Sequence, residues 1–310
     1  MARSRKLEEA LACLQSARHD LTAETAISTV QDVLNSKFSI AVAQAAKLVG
    51  DAELHVLRPD LISAFERFMQ KPAKTDPGCK AKESIAETLY KLEFSDETLF
   101  LQGIHHRQLE STWGKRVDTA AELRGICALG LVRMNYPDVM VELADLLADA
   151  EATARANAAK AIAYTESREG VSLLRFKVRI GDAHPQVLSE CFIGLLKLDP
   201  DQSLPLVAQF LEDELEQSCE MAALALGESR LQAAFPILQS FWKRSQLENL
   251  RHVSLIAIAL LRSDQAIEFL LSLITEGEHS DADDALLALK MYRQESALWE
   301  RVQQAVEQRG

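Results

Sequence analysis

Apolar residues recur with a helical spacing along most of the chain, and from residue 118 onward the pattern itself repeats. Small, Ala-rich helices open about 33 residues apart, at Asp118, Glu151, Pro185, Glu214, Leu247 and Ser280. Each is followed by a short turn and a second helix, over residues 137–149, 168–180, 200–212, 231–243, 264–275 and 294–307. A helix pair of this size cannot bury its apolar face alone, so the pairs are predicted to stack into a solenoid.

Small residues and arginines mark the first helices of these pairs. Arg124 precedes Ala128-Leu129-Gly130, Arg155 precedes Ala158-Ala159, and Ala222-Ala223 precedes Ala225-Leu226-Gly227. In these residues the chain resembles the HEAT family, in the short form typical of the HEAT-like repeats of phycobilisome lyases. The resemblance implies an all-α fold, a right-handed α-α superhelix of stacked helix pairs. It covers residues 118–310 well and 1–117 only loosely, and it says little about function because one fold serves many functions.

The first third of the chain is helical but less regular. The pattern predicts helices near 5–18, 23–35, 38–50, 59–71, 79–92 and 96–104. We therefore expect two regions. Residues 1–117 are predicted to be degenerate repeats with an N-terminal cap, and residues 118–310 the regular HEAT-like array with a C-terminal cap. The stretch 103–117 is predicted to be an irregular loop between them.

This loop carries the first set of candidate partner-binding residues, namely His105, His106, Arg107, Trp113, Lys115 and Arg116. Long irregular segments in compact helical proteins are often functional. One interpretation is a recognition loop in which Trp113 is the anchor and the basic residues hold an anion or an acidic segment. The other is an insertion whose Trp113 fills the gap between unequal repeats. Adjacent histidines diverge by about 100° on a helix, so no metal site is predicted.

The second candidate surface is a stripe of charge on one of the second helices. Arg168, Ser172, Arg175 and Arg179 follow a helical spacing, and the preceding second helix carries an acidic stripe of Asp138, Glu142, Asp145 and Asp149. In HEAT arrays the second helices line the concave face. Arg168, Arg175 and Arg179 either form an anion-binding strip on that face or pair laterally with Glu142, Asp145 and Glu212 on neighbouring helices.

Charge and composition narrow the class of partner. The net charge is −12, and the first 120 residues hold 16 basic and 17 acidic side chains, whereas the remaining 190 hold 18 and 29. An acidic array repels nucleic acid and anionic membranes over most of its surface. Cys127, Cys191 and Cys219 lie inside apolar helices and are expected to be buried, reduced thiols. No apolar signal core and no membrane-length apolar run is present in the sequence, so we expect a cytoplasmic protein without a membrane span.

Three hypotheses of function follow. The first is a non-catalytic scaffold that binds a protein or peptide partner through its concave face and the 103–117 loop, without a cofactor. The second, implied by the resemblance, is a lyase- or chaperone-like role in which a bilin or another anionic cofactor is handled. The third is a HEAT-like DNA glycosylase, which the mainly acidic second-helix face disfavours. The sequence contains no G-x-S-x-G, Walker, dinucleotide or H-E-x-x-H motif, so an enzyme is not favoured.

Overall fold

Helices follow one another along almost the whole chain in the computed structural model, which describes residues 2–18, 24–112 and 114–309. They fall into two units, Met1–Thr165 and Glu166–Gly310. The helices of the first unit are α1 (Ala2–Ala17), α2 (Glu24–Leu34), α3 (Ser39–Asp51), α4 (Arg58–Met69), α5 (Pro72–Thr75), α6 (Lys80–Lys91), α7 (Glu97–Ile104), α8 (Ala121–Arg133), α9 (Val139–Leu147) and α10 (Ala152–Tyr164). Between α7 and α8 lie two strands, β1 (Leu109–Thr112) and β2 (Lys115–Asp118).

The second unit is helical throughout its described residues. Its helices are α11 (Arg168–Ile180), α12 (Pro185–Leu198), α13 (Pro200–Gln209), α14 (Glu216–Glu228), α15 (Ala234–Arg244), α16 (Glu248–Leu260), α17 (Asp264–Glu276), α18 (His279–Leu289) and α19 (Ser296–Arg309). Short 3₁₀ helices occur at His55–Leu57, Pro77–Cys79, Phe210–Glu212 and Lys290–Tyr292.

Within each unit the first helices of successive pairs pack against one another. In the first unit α3 packs on α6, α6 on α8 and α8 on α10, while in the second unit α12 packs on α14, α14 on α16 and α16 on α18. The second helices lie against these rows, as α7 does against α8 and α15 against α16. This arrangement confirms the predicted all-α fold of stacked helix pairs.

The two compact units divide after Thr165. The boundary predicted at residue 117 concerns the regularity of the repeats, and across it α8 packs directly on α6 and α7. The first regular pairs therefore continue the row of N-terminal helices and share its core, in which Phe65, Phe100 and Leu123 have no exposed surface.

Small residues allow the first helices to approach closely, as their pattern indicates. A Cβ atom built on Gly227 of α14 would lie 2.3 Å from the carbonyl oxygen of Ala257 on α16. Because that neighbour is backbone and cannot rotate away, only glycine fits at this contact.

Aspartates recur in the turns that lead into the first helices, a feature that the periodicity of apolar residues does not reveal. Asp118, Asp149, Asp182 and Asp213 each accept a hydrogen bond from the backbone N–H two residues further on, at 3.0, 2.8, 2.9 and 3.0 Å. Such Asx turns satisfy backbone donors next to a helix start and fix the direction in which the chain enters the helix. The carboxylates are thus set at equivalent positions of successive repeats.

Candidate functional site

The segment predicted to be an irregular loop contains a β-hairpin. β1 and β2 pair antiparallel, with Leu109 opposite Asp118 and Thr112 opposite Lys115. Gly114, which precedes β2, has a φ of 82°, a left-handed conformation that is favoured in tight hairpin turns. From residue 109 onward, most of the segment predicted to be an irregular loop therefore forms paired strands. The proposed anchor, Trp113, lies outside the described residues.

Behind the hairpin lies a fully buried arginine, Arg124 of α8. Its Nη1 lies 2.8 Å from Asp118 Oδ2 and its Nη2 lies 3.0 Å from Asp149 Oδ1, and none of the three side chains is more than 5% exposed. Nη1 also donates to the carbonyl oxygen of His106 at 2.9 Å. A buried charge is tolerated when it is paired and hydrogen-bonded, which these two carboxylates and the carbonyl achieve.

Arg107 connects the hairpin segment to this buried pair of carboxylates. Its Nη1 lies 2.6 Å from Asp149 Oδ2 and 3.8 Å from Asp118 Oδ2, while its side chain stays 55% exposed. The sequence pattern predicts that Arg107 binds an external anion or acidic segment. In the structure its guanidinium already faces two carboxylates of its own chain.

A second buried ion pair, between Lys82 and Asp76, also contacts the hairpin segment. Lys82 Nζ is 2.8 Å from Asp76 Oδ2, and both side chains are completely buried. Gln108 links this pair to the hairpin, since its side-chain amide donates to the Asp76 carbonyl at 2.8 Å and to Glu110 Oε1 at 2.6 Å. Glu110 Oε1 also accepts from the N–H of Gly78 at 2.7 Å and from Thr119 Oγ1 at 2.9 Å.

The backbone N–H of Gln108 completes the network by donating to Asp118 Oδ1 at 2.9 Å. We call this set the hairpin network; it comprises Asp76, Lys82, Arg107, Gln108, Glu110, Asp118, Thr119, Arg124 and Asp149. Its members come from four separate segments of the first unit. Its carboxylates accept hydrogen bonds from donors of the same chain, and these bonds hold the hairpin against the helices around it.

The pKa shifts in the hairpin network follow from these contacts. Burial raises the pKa of Asp118, but the N–H groups of Gln108 and Ala120 and the Arg124 guanidinium outweigh burial and leave the pKa below its ordinary value. The pKa of Glu110 is also lowered, because the bonds from Gln108, Gly78 and Thr119 outweigh its burial. Burial lowers the pKa of His106, so that its imidazole is neutral near pH 7.

The other predicted residues of this segment divide into bonded and exposed ones. His105 Nε2 lies 2.7 Å from Glu142 Oε2, and His106 Nε2 lies 3.3 Å from Gln108 Oε1. Lys115 and Arg116 are exposed on β2. Neither of the two forms an ion pair with any of the described residues.

The three arginines of the basic stripe lie on α11. Arg168 and Arg179 are exposed and Arg175 is half-buried. Two of the acidic residues proposed as their lateral partners have other partners: Glu142 binds His105, and Glu212 Oε1 lies 2.9 Å from Arg244 Nη1. Within the described part of the second unit no ion pair neutralises Arg168, Arg175 or Arg179.

Two apolar side chains that the charge pattern does not single out lie beside these arginines. Phe176 is 65% exposed and Ile180 is 60% exposed, and both lie one residue after an arginine of the stripe. Their spacing of four residues places them on one face of α11. We call this combined basic and apolar surface the α11 strip; it comprises Arg168, Arg175, Phe176, Arg179 and Ile180.

A pocket of about 530 Å³ opens at the C-terminal end of the α11 strip. Its walls come from the end of α11, the start of α12 and the start of α14, and include the buried Phe192 and the half-buried Leu188, Phe210 and Met221. The rings of Phe192 and Phe210 lie 4.8 Å apart between centroids. A volume of this size and an apolar lining with a few charged groups at the rim are typical of binding pockets.

The described cysteines and the described metal-ligating side chains form no reactive-thiol site and no metal site. Cys79, Cys127, Cys191 and Cys219 are buried, whereas Cys13 is exposed. Burial raises the pKa of the Cys79 and Cys191 thiols to about 12, which keeps them protonated and unreactive. No group of three or more His, Cys, Asp or Glu side chains in the described ranges is arranged to hold a metal ion. None of the described helices combines the length and the apolar character that crossing a membrane requires.

The stacked helix pairs define the class of this protein as an all-α helical-repeat protein. No family model and no curated protein matches the chain. Two of the solved structures that are similar to it are helical-repeat proteins. A chain of the complex of CpcE and CpcF of phycocyanin lyase from Nostoc sp. PCC7120 is 17% identical, with a TM-score of 0.41, and the match covers 74% of this chain and 89% of that one. Human deoxyhypusine hydroxylase is 15% identical, with a TM-score of 0.29, over 91% and 88% of the two chains. At these identities the likeness concerns the fold alone.

Proposed function

We propose that this protein is a non-catalytic helical-repeat scaffold that binds a protein or peptide partner. The main contact surface is the α11 strip, and the tip of the hairpin provides a second one. The α11 strip combines cations with exposed apolar groups, and the hairpin adds the exposed cations Lys115 and Arg116, on a chain that is acidic overall. This combination suits a partner segment that presents carboxylates together with large apolar side chains.

The observation that carries the proposal is the unneutralised charge of the α11 strip. In a chain with a net charge of −12, exposed arginines have many acidic side chains available as intramolecular partners. Arg244, Arg262 and Arg301 of the same unit use such partners. Arg168, Arg175 and Arg179 use none among the described residues, and exposed Phe176 and Ile180 accompany them. Arginine and aromatic side chains are the groups most enriched at interface hot spots.

The hairpin network supports the second surface. It holds Gln108, Glu110 and Asp118 in fixed positions, so the exposed Lys115 and Arg116 project from an anchored hairpin. An anchored hairpin loses little conformational freedom when it binds, which favours affinity.

A pull-down with matched variants tests the scaffold proposal. Tagged protein is incubated with lysate of its native source, and bound proteins are quantified by mass spectrometry beside Arg175→Glu, Trp113→Ala and the control Lys243→Glu. Lys243 is exposed on α15, and its reversal changes the net charge by the same amount as Arg175→Glu. The expected result is one dominant partner that falls at least about tenfold with Arg175→Glu and not with the control. A partner retained equally by all variants contradicts the choice of surface.

A second candidate function is lyase- or chaperone-like handling of a bilin or another anionic cofactor. The observation that favours it is Arg179 on the rim of the apolar pocket, an arrangement that suits an apolar molecule carrying a carboxylate. Co-expression with a bilin source tests it, because a bound bilin gives visible absorbance to the purified protein. A colourless protein from such cells argues against this function and leaves the scaffold proposal intact.

A further inference from the structure

The pocket at the end of α11 has rims of opposite charge. Arg179 lies on one rim, and Arg175 stands one helical turn before it. The segment that leads into α14 contributes Asp213 and Glu216 to the lining, with the exposed Glu214 between them in sequence, and we call it the acidic rim. The pocket therefore has a basic side on α11 and an acidic side on the turn before α14.

The charges on the two rims are not neutralised by nearby side chains within the described part of the unit. Asp182 also lines the pocket, but Lys177 Nζ lies 2.8 Å from its Oδ2 and balances it. On the acidic rim Asp213 accepts the N–H of Leu215 at 3.0 Å, and Glu216 accepts the neutral amide of Asn249 at 2.9 Å. No cation of the described residues pairs with Asp213, Glu214 or Glu216.

Between the rims the pocket is apolar. Its lining includes the apolar side chains of Val178, Leu188, Phe192, Phe210 and Met221. Leu215, on the acidic rim, is 67% exposed, and Ile180, on the basic rim, is 60% exposed. An apolar group that enters the pocket thus gains contacts on the wall and on both rims.

We infer that this pocket seats one large apolar side chain of an extended partner segment with acidic residues on one side of that side chain and basic residues on the other. The inference rests on the proposed scaffold function and names the chemistry of the partner. A uniformly acidic segment would meet Asp213, Glu214 and Glu216, and a uniformly basic segment would meet Arg175 and Arg179. Repulsion between like charges disfavours binding of both kinds of segment. Only a segment that is acidic on one side of the apolar side chain and basic on the other complements both rims.

Synthetic peptides test this charge order. The block peptide is fluorescein-labelled, has about twelve residues, and carries an acidic block before one central Trp and a basic block after it. The alternating peptide has the same composition, but acidic and basic residues alternate on both sides of the Trp. A third peptide is the block peptide with the Trp replaced by Ala. Fluorescence anisotropy with the full chain measures the Kd of each. The block peptide is expected to bind at least about tenfold more tightly than either of the others. Equal binding of the block and alternating peptides, or no saturable binding of the block peptide, overturns the inference.

Charge reversal of each rim provides a test that a folding defect cannot mimic. Two double variants are expected to bind the block peptide about tenfold more weakly than the natural chain. One reverses the basic rim with Arg175→Glu and Arg179→Glu, and the other reverses the acidic rim with Glu214→Lys and Glu216→Lys. The variant with all four changes restores complementarity, because an extended peptide can bind in the opposite direction, and is expected to regain most of the affinity. Lys243→Glu is the control and leaves the Kd unchanged. Failure of the fourfold variant to regain affinity, with thermal melting showing it folded, contradicts the proposal.

The peptide result and the pull-down result are distinguishable. If the block peptide does not bind, but a cellular partner is still lost with Arg175→Glu, the inferred charge order of the partner segment is wrong and the scaffold proposal stands. If the block peptide binds as expected and no cellular partner depends on Arg175, the pocket binds peptides and the proposed scaffold function is contradicted.

Discussion

Arg124 illustrates at the scale of one residue how this fold tolerates charge in its interior. Its guanidinium has no exposed surface and lies between two carboxylates, at 2.8 Å and 3.0 Å. Removing one partner of such a group is costly because the remaining charges stay buried. Arg124→Met is therefore expected to lower the free energy of unfolding by about 3–5 kcal/mol, measured by urea denaturation followed by circular dichroism.

The matched control for Arg124→Met is Arg301→Met. Arg301 pairs with Glu268 at the surface, and their side chains are 43% and 67% exposed. Solvent screens such a pair, so its loss is expected to cost about 0–1 kcal/mol. If both substitutions shift the unfolding midpoint equally, the hairpin network contributes no more than a surface ion pair.

The lowered pKa of Asp118 predicts an acid-sensitive contribution to stability. When the pKa of a carboxyl group is lower in the folded than in the unfolded protein, its stabilising effect is fully present above the unfolded pKa of about 4. That effect is lost as the pH falls through the folded pKa, and Glu110 has a shift in the same direction. The melting temperature should therefore fall as the pH is lowered below about 4.

Asp118→Asn isolates this effect. The amide keeps an acceptor oxygen but does not titrate, so the variant is expected to be less stable than the natural chain at pH 7 and to lose less on acidification between about pH 4 and pH 2. Thermal melts over that range, followed by circular dichroism, give the two slopes. Parallel slopes for the two proteins would mean that Asp118 does not contribute to the acid sensitivity.

At the scale of the elements, apolar periodicity was sufficient to place the helices. The starts of α11, α13 and α17 coincide with the predicted ones at Arg168, Pro200 and Asp264. Tertiary packing reinforces the period there, because each pair repeats the same contacts with its neighbours. The strands of the hairpin were missed because they are only four residues long and lie beside a stretch rich in charge, where no alternation of apolar residues is established.

The hairpin network was not predictable from the sequence for a different reason. Asp76 and Gln108 are 32 residues apart, and Arg124 and Asp149 are 25 apart. Side chains at such separations meet only through the stacking of the pairs, which periodicity does not specify to the level of individual atoms. The charge spacing did predict that Arg168, Arg175 and Arg179 share α11, but the exposure of Phe176 depends on which helices cover that face.

The close approach of α14 and α16 gives a prediction at the same scale. Gly227→Ala would place a Cβ atom 2.3 Å from the Ala257 carbonyl oxygen, so the two helices must separate. The expected loss is about 1–3 kcal/mol, typical of an overpacked core, measured as a lower urea midpoint. Glu228→Ala, at the next and exposed position, is the control and should change stability by no more than about 0.5 kcal/mol. A Gly227→Ala protein as stable as this control would show that the helices accommodate the methyl group without cost.

At the scale of the whole molecule, helix pairs that contact mainly their neighbours imply that stability is local. In such arrays the free energy of unfolding is close to a sum over pairs and their interfaces. The hairpin network draws its members from the first unit alone, and the contact of Gly227 with Ala257 lies inside the second. A substitution in one unit should therefore loosen the helices around it and leave distant helices of the other unit protected.

Hydrogen exchange followed by mass spectrometry measures this locality. Arg124→Met is expected to speed exchange in β1, β2 and α8, where its partners lie, and to leave exchange in α14 and α16 unchanged. Gly227→Ala is expected to give the opposite distribution, because the displaced backbone belongs to α14 and α16. Each variant thus serves as the control for the other. If either substitution speeds exchange equally along the whole chain, the protein opens as one cooperative body, and the summation over pairs does not describe it.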